Sequence, residues 1–285
     1  MHRSLARCIA LTCIVTLLAS CGVGTVKDGP PRGGSAAIPE LPPDAVPRRE
    51  PKSRYGNSST YEVFGKRYAV MDSSAGYTER GVASWYGKKF HGNLTSNREP
   101  YDMYAMTAAH KSLPLPTYVR VRNLSNNKAV VVRVNDRGPF VHNRIIDLSY
   151  SAALKLDMIK TGTSLVEVEA ISFDDPPGDR PTRQTTAPSP MPAASTTPVA
   201  AAAAAPADNK IFVQVGAFGS RDNADRRLNL LRSGGIGTAF VVVDLAEDPV
   251  LYRIRIGPIR GVEQYDLLVD ELSNLGIADP YLVTE

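Results

Sequence analysis

The hydrophobic positions of this chain fall into two blocks with different periods. In the first block Val119 and Val121 alternate with Arg120 and Arg122, which predicts a half-buried strand over residues 118–124. Asn126 and Asn127 then supply a turn, and Val130, Val132 and Val134 return on one face over residues 129–134, the signature of a hairpin. Short apolar runs at 81–86, 104–109 and 165–171 predict further strands, and Ser149 can cap a short helix over 150–158. Many short strands with a single small helix predict a small β-barrel, with residues 61–70 packed on it as an extension.

The second block has a longer rhythm. Residues 211–216 read as a strand, and 223–232 as a helix with Ala224, Leu228 and Leu231 at helical spacing. Strands follow at 238–243 and 251–256, then a helix over 262–275 and a strand at 281–283. The order βαββαβ predicts a small ferredoxin-like α+β domain. The predicted class is therefore mainly β plus α+β. Alternation places Phe212 and Gln214 on one sheet face and Val213 and Val215 on the other, while Arg253 and Arg255 oppose Tyr252, Ile254 and Ile256.

Proline divides the chain. Of 22 prolines in 285 residues, seven lie between Pro30 and Pro51 and eight between Pro176 and Pro206, so two spacers flank the barrel. Residues 24–59 hold few large apolar side chains, and such a segment cannot offset its own ordering entropy; it is expected to stay extended. Ahead of it, Arg3 and Arg7 precede a twelve-residue apolar run, a signal-peptide pattern too short to span a bilayer comfortably. The expected organisation is a signal peptide at 1–20, a Pro-rich linker at 21–59, the barrel at 60–175, a Pro/Ala/Thr-rich linker at 176–208 and the α+β domain at 209–285.

Charge and cysteine then narrow the chemistry. Lys and Arg total 33 against 29 acids, a formal charge of +4, which does not make a nucleic-acid-binding face. Cys8 and Cys13 lie in the apolar leader, leaving Cys21, and His91, His110 and His142 have no paired ligand spacing. No metal or other cofactor is expected. Polar and aromatic residues concentrate instead in ASWYGKKFHGNLTSNREPYDMYAMTAAH (83–110) and VNDRGPFVHNRIIDLS (134–149). These stretches offer Glu99, Asp102 and His110, with Asp136 on a turn at a strand end. Asp147 fits the entry of the short helix.

The ordered motifs ASWYG, FHG, EPYD, TAAHKSLPLPTYVRV, NDRGPF and IDLS resemble the rare lipoprotein A family of septal lytic transglycosylases. The resemblance implies a double-psi β-barrel over about 76–173 that cleaves the bond between N-acetylmuramic acid and N-acetylglucosamine in peptide-free glycan strands. The product is a 1,6-anhydro end, and the role is in septal wall processing and daughter-cell separation. It implies an active constellation of Glu99, Asp102, His110 and Asp136, with Asp136 the first choice for the proton-carrying carboxyl and Glu99 its chief rival. His110 would orient a carboxylate or stabilise charge, and Asp102 would hold the histidine in one tautomer. Trp85 and Tyr86 are candidates for stacking on sugar rings. Where the family usually has glycine, this chain has Arg98, which either alters the loop or pairs with a substrate carboxylate.

The stretch LASC (18–21) resembles a lipoprotein processing box, implying a lipid anchor at Cys21 in the outer membrane, facing the periplasm and enriched at the septum. IFVQVGAF (211–218) and YRIRIGP (252–258) resemble the sporulation-related repeat, or SPOR domain, which binds stripped glycan strands. Gln214, Arg253, Arg255 and Phe212 are the expected glycan contacts, the arginines pairing with lactyl carboxylates. Division proteins remain open as partners. The competing reading is an expansin-like wall-binding or scaffold lipoprotein without cleavage.

Overall fold

A computed structural model describes residues 28–31, 41–141, 143–173, 210–278 and 280–285. Cys21, His142 and the whole of the second linker lie outside the described residues. The first module is a closed six-stranded barrel. Its strands are β3 (Thr78–Tyr86), β4 (Thr107–His110), β5 (Thr117–Asn123), β6 (Ala129–Asp136), β7 (Arg144–Ser149) and β8 (Ser164–Ala170), after the hairpin β1 (Thr60–Val63) and β2 (Lys66–Ala69). Around the barrel the order is β3-β7-β4-β6-β5-β8. Two pairs, β3 with β7 and β4 with β6, run parallel, and the others are antiparallel. Those two parallel crossings give the double-psi topology.

Alternation fills the barrel as the sequence predicts. Val119 and Val121 from β5 and Val130, Val132 and Val134 from β6 meet Ile146, Leu148, Val166 and Val168 in one buried core. Each side chain so buried stabilises the fold by about 1.5–3 kcal/mol. Ser149 caps helix α1 (Tyr150–Lys155), its Oγ accepting from the Ala152 amide at 3.3 Å. Asp147 is not at a helix entry: it lies inside β7, a strand that the sequence reading passed over.

The expectation of a free first spacer is corrected from residue 41 onward. Residues 41–57 carry no helix or strand, yet they form a strap bonded to the barrel. Asp44 accepts from the Val131 amide at 2.9 Å and from Lys155 Nζ at 2.7 Å, and the Ala45 amide donates to the Val131 carbonyl at 3.0 Å. Glu50 takes Arg133 through two bonds, and Asn57 brackets Leu115, accepting from its amide at 2.8 Å and donating to its carbonyl at 2.7 Å. Low apolar content is compensated here by specific polar bonds, which composition does not register. The hairpin then packs against the barrel through Tyr61, Tyr68 and Phe140, whose ring centroids lie 5.3–6.3 Å apart.

The second module comprises β9 (Ile211–Phe218), α2 (Arg221–Ser233), β10 (Ala239–Asp244), β11 (Leu251–Ile259), α3 (Val262–Asn274) and β12 (Tyr281–Thr284). The antiparallel sheet has the order β10-β11-β9-β12 of a ferredoxin-like fold. Ala224, Leu228 and Leu231 of α2 and Tyr265, Leu268 and Leu272 of α3 bury against Val213, Val215, Ile254 and Ile256.

Candidate active site

Asp136 ends β6 and opens on a cleft. Its neighbouring loop, residues 94–100, is a tight turn closed by the Thr95 amide to the Glu99 carbonyl (2.8 Å) and the Arg98 amide to the Thr95 carbonyl (2.9 Å). Arg98 sits in that turn at φ 71, so the left-handed backbone shape is kept without glycine. The turn presents Ser96 to Asp136: the Ser96 amide (2.8 Å), the Ser96 hydroxyl (2.6 Å) and the Arg137 amide (2.7 Å) all donate to Oδ1. Oδ2 has no hydrogen-bond partner among the described residues. Asp136 lines a cavity of about 390 Å³ together with Gly56, Tyr61, Val63, Leu94 and Phe140.

Arg137 supports this arrangement from behind. Its guanidinium donates to the carbonyls of Gly56 (2.8 Å), His110 (3.1 Å) and Leu113 (2.6 Å) and to Asn57 Oδ1 (3.2 Å). Burial lowers its pKa, the nearby Tyr61 and Asp136 raising it only in part. Gly56, at φ 77, passes so close to the loop that a Cβ there would lie 3.0 Å from the Ser96 carbonyl oxygen. The strap is therefore one wall of the cleft.

Glu99 lies on the other flank of the same loop. Burial pushes its carboxyl up, but Arg133 (2.7 Å) and Asn135 (3.0 Å) donate to Oε2 and hold it below its usual value, so it is ionised near neutrality. His110 is placed differently from the expected role. It is 2% exposed, and its Nδ1 accepts from the Ser112 (3.2 Å) and Leu113 (3.0 Å) amides. Nε2 therefore carries the proton, donating to the Tyr77 hydroxyl at 2.8 Å, and Tyr77 in turn bonds Glu79. Burial, with Arg137 and Lys111 nearby, pushes the imidazole down to about 3, so it is neutral. Asp102 does not set this tautomer; it is half exposed, accepting from the Tyr104 amide and lying 3.7 Å from His91.

The sequence reading missed one carboxyl. In the barrel, Ala109 of β4 pairs with Asp136 on one side and Asp147 on the other. Asp147 bonds the Ser84 hydroxyl, and burial raises its pKa. A Cβ on Gly138, in the turn after Asp136, would come within 4.0 Å of Asp147 Oδ2. The signal was the acid in IDLS at a position that β7 turns toward β4, which only the pairing reveals.

Three expected glycan contacts, Tyr86, Gln214 and Phe212, are corrected by burial, and Trp85 packs beside the first. Tyr86, 8% exposed, stacks on Tyr101 at 4.0 Å, and half-buried Trp85 lies edge-on to Tyr150 at 5.7 Å; both belong to a small aromatic core. In the second module Gln214 is 1% exposed between Tyr281 and Arg255, and Phe212 packs on Phe240. Neither is a free sheet-face contact. Arg253 is bound by Asp244 (2.9 Å) and Glu247 (3.4 Å), and Arg255 by Glu285.

Residues 78–168 match the lytic transglycolase family profile, and residues 207–284 match the SPOR domain profile. An endolytic peptidoglycan transglycosylase RlpA of Pseudomonas aeruginosa is 39% identical over 280 residues, covering 85% of this chain and 80% of that protein. The protein of the same name in Vibrio cholerae is 56% identical over 138 residues; the alignment covers 48% of this chain and about half, 52%, of the relative. The crystal structure of the RlpA SPOR domain from P. aeruginosa aligns with 26% of this chain and 96% of its own length at 26% identity, with a TM-score of 0.24. A double-psi barrel with a carboxyl-bearing cleft, followed by a SPOR domain, defines the class of two-module lytic transglycosylases of the bacterial wall. Within that class the chain belongs to the RlpA family of endolytic peptidoglycan transglycosylases.

Proposed function

We propose that the protein cleaves the muramic acid to glucosamine bond of peptide-free glycan strands by intramolecular transglycosylation, with Asp136 as the proton carrier. The observation that carries this reading is the asymmetry of the carboxyl: three donors fix Oδ1, and Oδ2 is left to the cleft. Protonated Oδ2 gives its proton to the glycosidic oxygen as the C1–O bond breaks. The muramic 6-hydroxyl then attacks C1 and returns its proton to Oδ2, closing the 1,6-anhydro ring without water. One carboxyl suffices, in contrast to hydrolysis, where a second activates water or attacks the sugar.

Glu99, held ionised by Arg133 and Asn135, does not line the cavity; it is a positioning residue that ties the 94–100 loop, and with it Ser96, to β6. His110 is a positioning residue in this scheme, its carbonyl bonding the Arg137 guanidinium. Asp102 has no assigned step. A second reading is favoured by the raised pKa of Asp147, a property suited to a general acid: that carboxyl would hold the proton and Asp136 would stabilise charge. The SPOR domain recruits the enzyme to stripped strands at the septum, with Arg253 and Arg255 exchanging their internal acids for lactyl carboxylates. Cys21 anchors the chain to the outer membrane through lipid. Retained capture on stripped glycan by an Arg253→Ala, Arg255→Ala protein would remove the arginines from this account.

The deciding experiment incubates the protein with intact sacculi and with amidase-stripped glycan and reads the soluble products by mass spectrometry. Anhydro-ended fragments from stripped glycan, lost in Asp136→Asn and retained in Asp147→Asn, are expected. Loss in Asp147→Asn alone would transfer the proton to Asp147, and binding without fragments would establish the non-catalytic alternative.

A further inference from the structure

The family profile begins at residue 78, yet the cleft of Asp136 is walled in part by residues that precede it. Gly56, Ser58, Tyr61 and Val63 contribute from the strap and β1, facing Leu94 and Ser96 across the cavity. Phe140 backs the wall, with Tyr61 and Tyr68 packed against it. Of the lining residues Leu94 is 60% exposed, and two further exposed apolar side chains adjoin lining residues in the chain: Phe64, 92% exposed, follows Val63, and Val141, 65% exposed, follows Phe140.

Phe64 is also held against its own backbone preference. The two-residue loop of the hairpin puts Phe64 at φ 50 and Gly65 at φ 73, a geometry that suits Asn-Gly and disfavours a bulky residue in the first position. An aromatic ring kept in that conformation and left almost wholly in solvent does no packing work for the fold. Strain of this kind points toward a ligand.

We propose that the β1–β2 hairpin, with Arg98, completes a glycan subsite that selects muramic residues stripped of their stem peptide. The proposal rests on the reading of the Asp136 cleft as the glycan-cleaving site, with which this rim is continuous. A pyranose offers a C–H face that stacks on aromatic and aliphatic walls; Val63 and Leu94 line the cavity, and Phe64 at the hairpin tip next to Val63 would extend that wall. Arg98 supplies the discrimination. Its guanidinium lies over the Tyr55 ring at 5.5 Å, is exposed, and has no carboxylate partner among the described residues. Arg137, the other arginine of the cavity, is spent on backbone carbonyls and Asn57. A muramic residue exposes its lactyl carboxylate once the stem peptide has been removed, and the guanidinium then has a partner. A stem peptide joined there as an amide removes that charge and adds bulk against the wall.

The test places a fluorophore at the rim. A full-length Phe64→Trp protein in an Asp136→Asn, Arg253→Ala, Arg255→Ala background, which removes the SPOR arginines from the preference, is titrated with amidase-stripped glycan oligosaccharides and with the same oligosaccharides carrying stem peptides. The signal from Trp85 is subtracted using the parent with Phe64. A blue shift of the new tryptophan is expected with stripped strands, at least tenfold tighter than with peptide-bearing ones, and Arg98→Gly is expected to shrink that ratio to about twofold. Phe64→Asn, which fits the loop geometry, is expected to keep the unfolding midpoint while raising KM about fivefold in the otherwise native protein. Absence of an emission change with stripped strands, equal affinity for both substrates, or an unaltered KM for Phe64→Asn would each overturn the subsite. If Asp136→Asn still makes anhydro products, the catalytic assignment fails while the emission titration continues to decide the subsite.

Discussion

His110 makes the barrel's stability depend on pH in a direction that can be calculated. The folded barrel holds the imidazole neutral, with a pKa near 3, whereas the unfolded chain has it near the ordinary value of about 6.5. Between those values the unfolded state binds a proton that the folded state refuses. The stabilisation is therefore complete above the unfolded pKa and is lost as pH falls from about 6.5 toward 3, by roughly 1.4 kcal/mol per pH unit. From pH 7 to pH 5 the loss is about 2 kcal/mol. Asp147, whose folded pKa is raised, contributes with the opposite sign, so the quantity to compare is the pH dependence with and without the histidine. His110→Asn is the suitable replacement, since its Oδ1 can accept from the Ser112 and Leu113 amides that now bond Nδ1. The chain's single tryptophan, Trp85, lies in β3, so its emission reports the barrel and not the second module. In urea, with a slope of about 1–3 kcal/mol/M, the native midpoint should fall by roughly 1 M between pH 7 and 5. The His110→Asn midpoint should be lower at pH 7 and fall by less than half as much. Equal displacement of the two proteins would refute the claim that a buried neutral imidazole sets this dependence.

Three further outcomes are expected. Glu50, held down to about 2 chiefly by Arg133, contributes stability that is present above about pH 4.5 and lost as pH falls toward 2; Glu50→Gln should lower the Trp85-monitored stability at pH 7 by about 1.5–3 kcal/mol and flatten the acid limb. Arg137→Met removes four hydrogen bonds and should release the strap, read as faster hydrogen exchange at the Ser53 amide than at the Val132 amide. Arg98→Gly relieves the positive φ and should raise barrel stability by up to about 1 kcal/mol, read from the Trp85 midpoint; a lower midpoint would show that the stacking of Arg98 on Tyr55 outweighs the strain.

The β5–β6 hairpin was legible because Val and Arg alternate on both sides of an Asn-Asn turn, and the turn indeed places Asn127 at φ 58. The strand β7 was not legible. It pairs in parallel with β3, far away in sequence, and its consecutive Ile145 and Ile146 hide the alternation. The same long-range pairing sets Asp147 beside Ala109 and Asp136, so its proximity to the site had no local trace. Residues 41–57 were read from composition, but Asp44, Glu50 and Asn57 act through single bonds to particular partners. In the second module, alternation correctly separated the faces of β9 but not what covers them: Phe240 and Tyr281 close over Phe212 and Gln214.

The strap also divides the cleft between two stretches of chain. Gly56, Ser58, Tyr61 and Val63 are cleft walls contributed by chain that lies outside the barrel, and Arg137 fastens that chain through Gly56 and Asn57. Without the strap the barrel would still carry Asp136, but the cavity would lose Gly56 from its wall and the Arg137 guanidinium would lose two of its four acceptors. Grip on a glycan is thus a property of strap and barrel together, not of the barrel alone.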